Sequence, residues 1–382
     1  MRRIAINVGA GYVPGMNSVI RGAARAASEL GWEMVGIRDG FEGLLHPEKY
    51  PEGGLVSLTP GLIENLDPAS SSLLGQAARV DPFHVRTVNE DGMVEEVDQS
   101  DVLLARIKAE KIDAVISVVG GRGISILYKL HRKGLETVCI PLSIENDIAA
   151  TLVSFGFNSA LTFTIEMLDR VREAAKASRR IAVVEVLGAE AGWLALQAGF
   201  AVGADAILIP EISSDLDTVA AKLKKKVTAT RPYGLVVVAE GAKVVAASQA
   251  QAKQSSYKGS LSPLATGEAS DHVIRRSGRA AEAVANGLQL RLATELHPLV
   301  LGPWVRGGAP TAVDRQLGVA YGVGAIRALS ESDKNGVMVA FVPPDIAFVP
   351  LAEAINQVRT VPMDSLYIQI ARSLDICLGR AL

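Results

Sequence analysis

The sequence predicts an α/β protein made of two doubly wound, open-sheet domains. Three observations predict it. Short apolar runs alternate with stretches of helical periodicity, the rhythm of β-α-β units. Glycine turns follow the apolar runs, as at Gly9-Ala10-Gly11 and Gly120-Gly121-Arg122-Gly123. The chain has 382 residues, too many for one ordinary core, so two domains are expected.

Arg3–Val8 is a short buried strand, and Gly9–Gly15 turns it into a helix over Met16–Leu30. That helix carries Val19, Ala23, Ala26, Ala27 and Leu30 at helical spacing and stops at Gly31,. Trp32–Ile37 is the next strand, and Asp39–Gly43 a loop. Tyr50–Val97 holds several Pro and Gly and reads as irregular. Then comes one complete β-α-β unit: strand Ile112–Val118, glycine turn Val119–Gly123, helix Ile124–Lys133, strand Glu136–Ile140 and a polar turn, Pro141–Asp147. A long helix is expected over Asn158–Ala177, followed by strand Arg180–Leu187, the turn Gly188–Gly192 and a helix to Gly203. Strand Ala206–Pro210, a lysine-rich amphipathic helix Leu216–Val227 and strand Gly234–Ala239 repeat the rhythm as a second sheet. Residues 246–267 lack periodicity and read as a solvated loop or insertion,. Helix resumes around Ala280–Asn286. Thr294–Gly302 reads as a strand, Pro303–Pro310 as a glycine turn, Ala312–Leu329 as a helix, Val337–Phe341 as a strand and Tyr367–Leu378 as a terminal helix.

Composition narrows the function. Net charge is −2 and no long basic run occurs, so nucleic acid is not an expected partner. No apolar run is long enough to span a membrane. Arg2 and Arg3 lead straight into a strand, unlike a signal peptide,. Cys139 and Cys377 sit in apolar contexts and read as buried thiols in a reducing compartment,. A cytoplasmic protein is expected.

The chemistry gathers in the central unit. Ligands bind at the carboxyl ends of strands in open parallel sheets. Glycines there let backbone N–H groups approach phosphate, and the next helix adds its positive dipole end. The polar turn supplies Glu145 and Asp147, two residues apart. In an extended turn that spacing sets both carboxylates on one side. One can accept a hydroxyl proton while the other holds a metal or orients the substrate.

Several motifs together resemble the 6-phosphofructokinase family over nearly the whole chain. They are Pro14-Gly15-Met16-Asn17 with Arg21-Gly22, Gly36–Leu44, Gly120–Gly123, Pro141–Asp147, Val186-Leu187-Gly188 with Gly192-Trp193, Glu240-Gly241, and Leu301-Gly302 with Arg306–Pro310 and Asp314-Arg315. The resemblance implies two Rossmann-like domains with the sugar phosphate held between them, in a homodimer or homotetramer. The first domain would cover 1–155 plus about 305–358, and the second 156–304 plus about 359–382. It also implies phosphoryl transfer from ATP or pyrophosphate to O1 of fructose 6-phosphate, with Mg²⁺ on the donor phosphates.

Carried over motif by motif, the resemblance makes Glu145 and Asp147 the catalytic pair, with Asp147 also the metal-side carboxylate. Gly11, Tyr12, Gly120, Gly121, Arg122 and Gly123 fall on the donor-phosphate side. Ser143, Arg180, Gly188, Glu240, His297 and Arg306 fall on the sugar-phosphate side. Each retained residue also has a structural use: Asp147 as a turn cap, Arg306 as a turn cation, Arg180 as a surface charge, Glu240 as a strand end, and His297 as a half-buried packed histidine.

The departures from the family pattern fall on the chemistry. Arg122 stands where the family has an aspartate beside the metal-bound phosphates, and a cation there repels Mg²⁺. Tyr12 replaces an aspartate, Ile124 a small hydroxyl residue, and Glu145 the aspartate base. Ala189 and His297 replace arginines, and Pro303 a histidine. Gly123 matches the ATP-using pattern, whereas Leu142 matches neither donor class. Two readings follow. One is a phosphofructokinase-type phosphotransferase. The other is a catalytically impaired paralogue that binds a phosphorylated metabolite as a regulatory or structural subunit, alone or beside an active partner chain.

Overall fold

The computed structural model describes residues 1–9, 11–75, 80–88, 92–244, 278–331, 334–355 and 357–380. The expected loop or insertion at 246–267 lies outside the described residues. The strands are, in chain order, β1 (Arg3–Val8), β2 (Glu33–Ile37), β3 (Leu55–Ser57), β4 (Val85–Val88), β5 (Val94–Val97), β6 (Ala114–Val119), β7 (Glu136–Ser143), β8 (Phe155–Gly156), β9 (Ile181–Val186), β10 (Ala206–Leu208), β11 (Gly234–Ala239), β12 (Leu296–Val300), β13 (Val337–Val342) and β14 (Asp345–Pro350). The chain forms two compact units, Met1–Phe163 with Pro303–Thr360, and Thr164–Gly302 with Val361–Leu382. The fold is mixed α/β with parallel-dominated sheets, as the sequence predicts.

The first unit carries a sheet in the order β14-β13-β7-β6-β1-β2-β3, with β8 beside β7. Its central strands β13, β7, β6, β1 and β2 run parallel, and antiparallel strands β14 and β3 close its edges. The central strands are buried on both faces, which is why they read as unbroken apolar runs,. Helices Met16–Glu29 and Ala312–Ser330 pack closely through glycines. A Cβ at Gly22 would stand 2.5 Å from the Val319 carbonyl oxygen, and one at Gly322 would stand 2.3 Å from that of Val19. No side chain fits at either contact.

Three local expectations differ from the structure. The glycine turn 119–123 is mostly helix, because helix Gly121–Arg132 begins within it and Ile124 N–H bonds the Gly120 carbonyl at 3.0 Å. The turn at 141–147 starts later than expected. Pro141 still pairs with Val119, and Leu142 and Ser143 then pair with Phe155 and Gly156 of β8. A proline lacks only its own N–H, so the strand keeps its bonds on the other residues. The stretch read as irregular over Tyr50–Val97 contains β3, a short helix Pro60–Glu64 and the hairpin β4–β5. The sequence reading also passed over helix Ser100–Ala109 and edge strand β14.

The second unit has a four-stranded parallel sheet in the order β10-β11-β9-β12. One face is packed by helices Leu216–Lys226 and Arg279–Gln289, through Val219, Leu223, Val284 and Leu288. Glu185 is a buried carboxylate within β9. It accepts the N–H groups of Gly278 at 2.6 Å and Ala281 at 2.9 Å, and so caps helix Arg279–Gln289. Among the described residues no helix is long and apolar enough to cross a membrane.

Candidate active site

In the first unit the chain runs from β1 outward to β2, then returns to place β6 on the other side of β1. Strand order therefore reverses between β1 and β6. Successive helices leave to opposite faces at such a point, and the crevice between the two departing loops is where open α/β sheets hold ligands. The two loops here are Gly9–Gly15 and the glycines after β6. Gly9 N–H bonds the Val118 carbonyl at 2.9 Å, which ties them together.

The residues that the resemblance assigns to the donor side lie on these two loops and at the start of the helix after β6. Gly11 adopts φ +110°, a conformation that favours glycine, and a Cβ there would lie 3.3 Å from Arg306 Nη1,. Arg306, which the resemblance groups with the sugar phosphate, has its guanidinium beside this first loop. Tyr12 is half-buried. Gly120 is the N-cap of the following helix, and Gly121 and Arg122 are exposed in its first turn. Arg122 thus adds a full charge to the positive dipole end of a helix. Gly123 has a steric role, since a Cβ there would stand 2.4 Å from Val119 Cβ. Ile124 is core, packed with Val119, Leu127 and Cys139. Apolar packing therefore accounts for its replacing a hydroxyl residue.

The carboxylate turn adjoins the β6 glycines, and a Cβ at Gly120 would lie 3.2 Å from the Leu142 carbonyl oxygen. Burial alternates along it. Ile144, Asn146 and Ile148 are buried, and Ser143, Glu145 and Asp147 are half-exposed. Both carboxylate-bearing residues thus lie on the side that includes Ser143. The Ser143 hydroxyl accepts the Glu145 backbone N–H at 3.1 Å and donates to Asp147 Oδ1 at 2.5 Å, joining the Glu145 backbone to the Asp147 carboxylate. Asn146 is left-handed at φ 56°. Its side chain accepts the Ser154 N–H at 2.9 Å and donates to the Leu152 carbonyl at 3.3 Å, so it serves the turn.

In the second unit, Gly188 and Glu240 come together at the carboxyl ends of β9 and β11. Gly241 N–H bonds the Gly188 carbonyl at 3.1 Å, and Glu240 N–H bonds that of Val186 at 3.0 Å. Arg180 and His297 do not join them. Arg180 precedes β9 and its Nε donates to Glu295 Oε2 at 3.0 Å. His297 pairs in register with Ala182 near the start of both strands. Gly188 lies six residues further on, about 20 Å away at about 3.3 Å per residue. His297 is exposed rather than half-buried, because β12 is an edge strand.

Among the described residues no group of three or more His, Cys, Asp or Glu could hold a metal. Mg²⁺ commonly needs only one or two carboxylates when it arrives on substrate phosphates. Asp147 is a half-exposed carboxylate that can supply one, and Arg122 is exposed in the first turn of the helix after the β6 glycines.

Two residues were missed from the sequence. Arg359 donates its N–H to the Asp147 carbonyl at 2.8 Å and Nη1 to the Asn146 carbonyl at 3.4 Å. Glu211 Oε1 accepts both the Gly192 N–H at 3.0 Å and the Val361 N–H at 2.8 Å, which fixes the loop after β9. Neither sits in a motif, and both act across at least 19 residues, so no local signal marks them.

A family model described as Phosphofructokinase matches residues 3–329. An ATP-dependent 6-phosphofructokinase of Chloroflexus aurantiacus is 35% identical over 386 aligned positions, covering 99% of this chain and 98% of the relative. A pyrophosphate–fructose 6-phosphate 1-phosphotransferase of Amycolatopsis methanolica is 35% identical, covering 94% of this chain and 96% of its own. The crystal structure of a pyrophosphate-dependent phosphofructokinase from Marinobacter aquaeolei matches with a TM-score of 0.72 at 19% identity, over 100% of this chain and 93% of that one, a likeness of fold.

Proposed function

The chain belongs to the phosphofructokinase family, and on that premise we propose that it transfers a phosphoryl group from ATP or pyrophosphate to O1 of fructose 6-phosphate. The observation that carries this reading is the turn at the carboxyl edge of β7, where Ser143 joins the Glu145 backbone N–H to the Asp147 carboxylate. Glu145 accepts the proton of the attacking 1-hydroxyl. Asp147, held by Ser143, orients that hydroxyl and is the carboxylate nearest to any Mg²⁺ that the donor carries in. The glycine loops cradle the donor phosphates, and Arg306 serves the sugar phosphate. The test is purified protein with fructose 6-phosphate, Mg²⁺ and either donor, following the bisphosphate. Turnover above about 1 s⁻¹, the low end of ordinary enzyme rates, supports the assignment. Silence with both donors in folded protein rejects it.

Arg122 favours a second reading. An exposed guanidinium at the helix N-terminus suits direct anion binding and opposes a metal. A subunit that binds phosphate ligands without turnover, regulating or supporting a partner chain, would bind pyrophosphate equally with Mg²⁺ or with chelator. Appearance of activity in Arg122→Asp combined with Tyr12→Asp would favour that reading. Strict Mg²⁺ dependence of binding would reject it.

The amino-edge position of Arg180 and His297 supports assembly as a homodimer or homotetramer. These residues can serve the same sugar phosphate as Gly188 and Glu240 only when another copy supplies them. Light scattering after gel filtration tests this, and a monomer at working concentration removes both from the site.

A further inference from the structure

We infer that Asp314 is a positioning residue for the carboxylate turn: through Gly156 it fixes β8, the two-residue strand against which that turn and the first glycine loop both rest. This rests on the proposed reaction, and it gives a task to a residue that the resemblance contains without a role.

Three features carry it. First, Asp314 is fully buried and held at both its backbone and its side chain. Its N–H donates to Thr311 Oγ1 at 3.3 Å, at the start of helix Ala312–Ser330. Its Oδ1 accepts the Gly156 N–H at 3.1 Å, and its Oδ2 accepts the Ser159 N–H and hydroxyl, each at 2.6 Å. Donors converge on it from two directions, which suits a carboxylate, since an amide has one acceptor oxygen. Burial pushes this carboxyl above its ordinary range despite those bonds. Capping a helix does not require that cost, because Thr59, Thr311 and Ser365 each cap one with a hydroxyl. Second, the residues up to that contact hold the carboxylate turn. The Ser154 N–H donates to Asn146 Oδ1 at 2.9 Å, Phe155 pairs with Leu142, and Gly156 pairs with Ser143. Ser143 in turn joins the Glu145 N–H to the Asp147 carboxylate. Third, the same strand meets the loop after β1. Gly156 adopts φ +97°, and a Cβ there would overlap Val13,. A Cβ at Gly15 would lie 3.5 Å from Phe155 Cζ. β8 thus lies against both the loop assigned to the donor and the turn assigned to the acceptor, and the Asp314 carboxylate holds its end.

Turnover and hydrogen–deuterium exchange test this in wild type, Asp314→Asn, Ser159→Ala, Ser143→Ala and the double variant of Asp314→Asn with Ser143→Ala. Asparagine keeps the volume, but its one oxygen is drawn to the two Ser159 donors, which turns its NH₂ group onto the Gly156 N–H. Ser159→Ala removes the hydroxyl bond and keeps both N–H bonds, so it lowers stability without releasing β8. Asp314→Asn is expected to lower kcat about tenfold or more with little change in KM, and to speed exchange of residues 141–147 about tenfold or more. Ser159→Ala should melt below wild type yet keep wild-type kcat and wild-type exchange at 141–147. The double variant should be no slower than the slower single variant, because both changes act on one turn. Wild-type exchange at 141–147 in Asp314→Asn overturns the inference. So do independent, multiplying rate losses in the double variant, or a Ser159→Ala that matches Asp314→Asn in rate and exchange. If Asp314→Asn does not fold, wild type decides: residues 141–147 and 154–159 should lose protection at the same denaturant concentration, and separate opening overturns the inference. Wild type silent with both donors rejects the proposed reaction, and the exchange results then still decide whether Asp314 fixes the turn.

Discussion

Replacing Ser143 by alanine removes one hydroxyl that performs two tasks: it accepts the Glu145 N–H and donates to Asp147. A hydrogen bond to a charged group contributes about 1.5–3 kcal/mol when fully desolvated. Ser143 and Asp147 are half-exposed, so water recovers part of it and a stability loss of about 1 kcal/mol is expected. For a folding unit of this size that lowers the melting temperature by about 2–4 °C. The effect on rate should be larger. Without the hydroxyl the Asp147 carboxylate loses its anchor and the Glu145 backbone N–H its acceptor, and a displacement of about 1 Å costs on the order of 100-fold. The assay pairs thermal unfolding with bisphosphate formation for Ser143→Ala, Asp147→Asn and the double variant. If the hydroxyl works by orienting Asp147, the double variant is no slower than Asp147→Asn alone. Independent, multiplying rate losses would refute the reasoning. So would wild-type turnover in Ser143→Ala despite a lowered melting temperature.

Further outcomes are expected elsewhere. Gly322→Ala puts a Cβ 2.3 Å from the Val19 carbonyl oxygen and 2.6 Å from the Ala23 nitrogen. Backbone cannot rotate away, so denaturant unfolding should show a loss of about 1–3 kcal/mol despite alanine's better helix propensity. Glu185→Ala strands the Gly278 and Ala281 N–H groups. Calorimetry should show a loss of about 3 kcal/mol or more, from two bonds to a charged group. Hydrogen bonds from Lys222, and then from Lys226, hold the Asp375 carboxyl down to about 2. A carboxylate with a lowered folded pKa stabilises above its ordinary range and loses that contribution as pH falls through the folded value. Wild type and Asp375→Asn should therefore converge in melting temperature near pH 2, and high salt should shrink their difference at neutral pH, because Asp375 is exposed,.

The sequence by itself determined what depends on near neighbours. Apolar runs flanked by glycine located the central strands of both sheets, since parallel strands buried on two faces admit little else. The sequence expected Glu145 and Asp147 on one side of an extended turn, and both do lie on its half-exposed side, although Asn146 between them is left-handed rather than extended. Edge strands β3 and β14 and the hairpin β4–β5 carried no such signal, being short and partly exposed. Only the tertiary structure decided which distant groups share a place. Sheet order put the crevice between β1 and β6. It brought Arg306 to Gly11 and Arg359 to Asn146 across 213 residues, and it left Arg180 and His297 at the amino edge of their sheet. Local periodicity carries no information about which strand end faces which loop. That is set by how the strands are ordered, and the order follows from burying every apolar face at once.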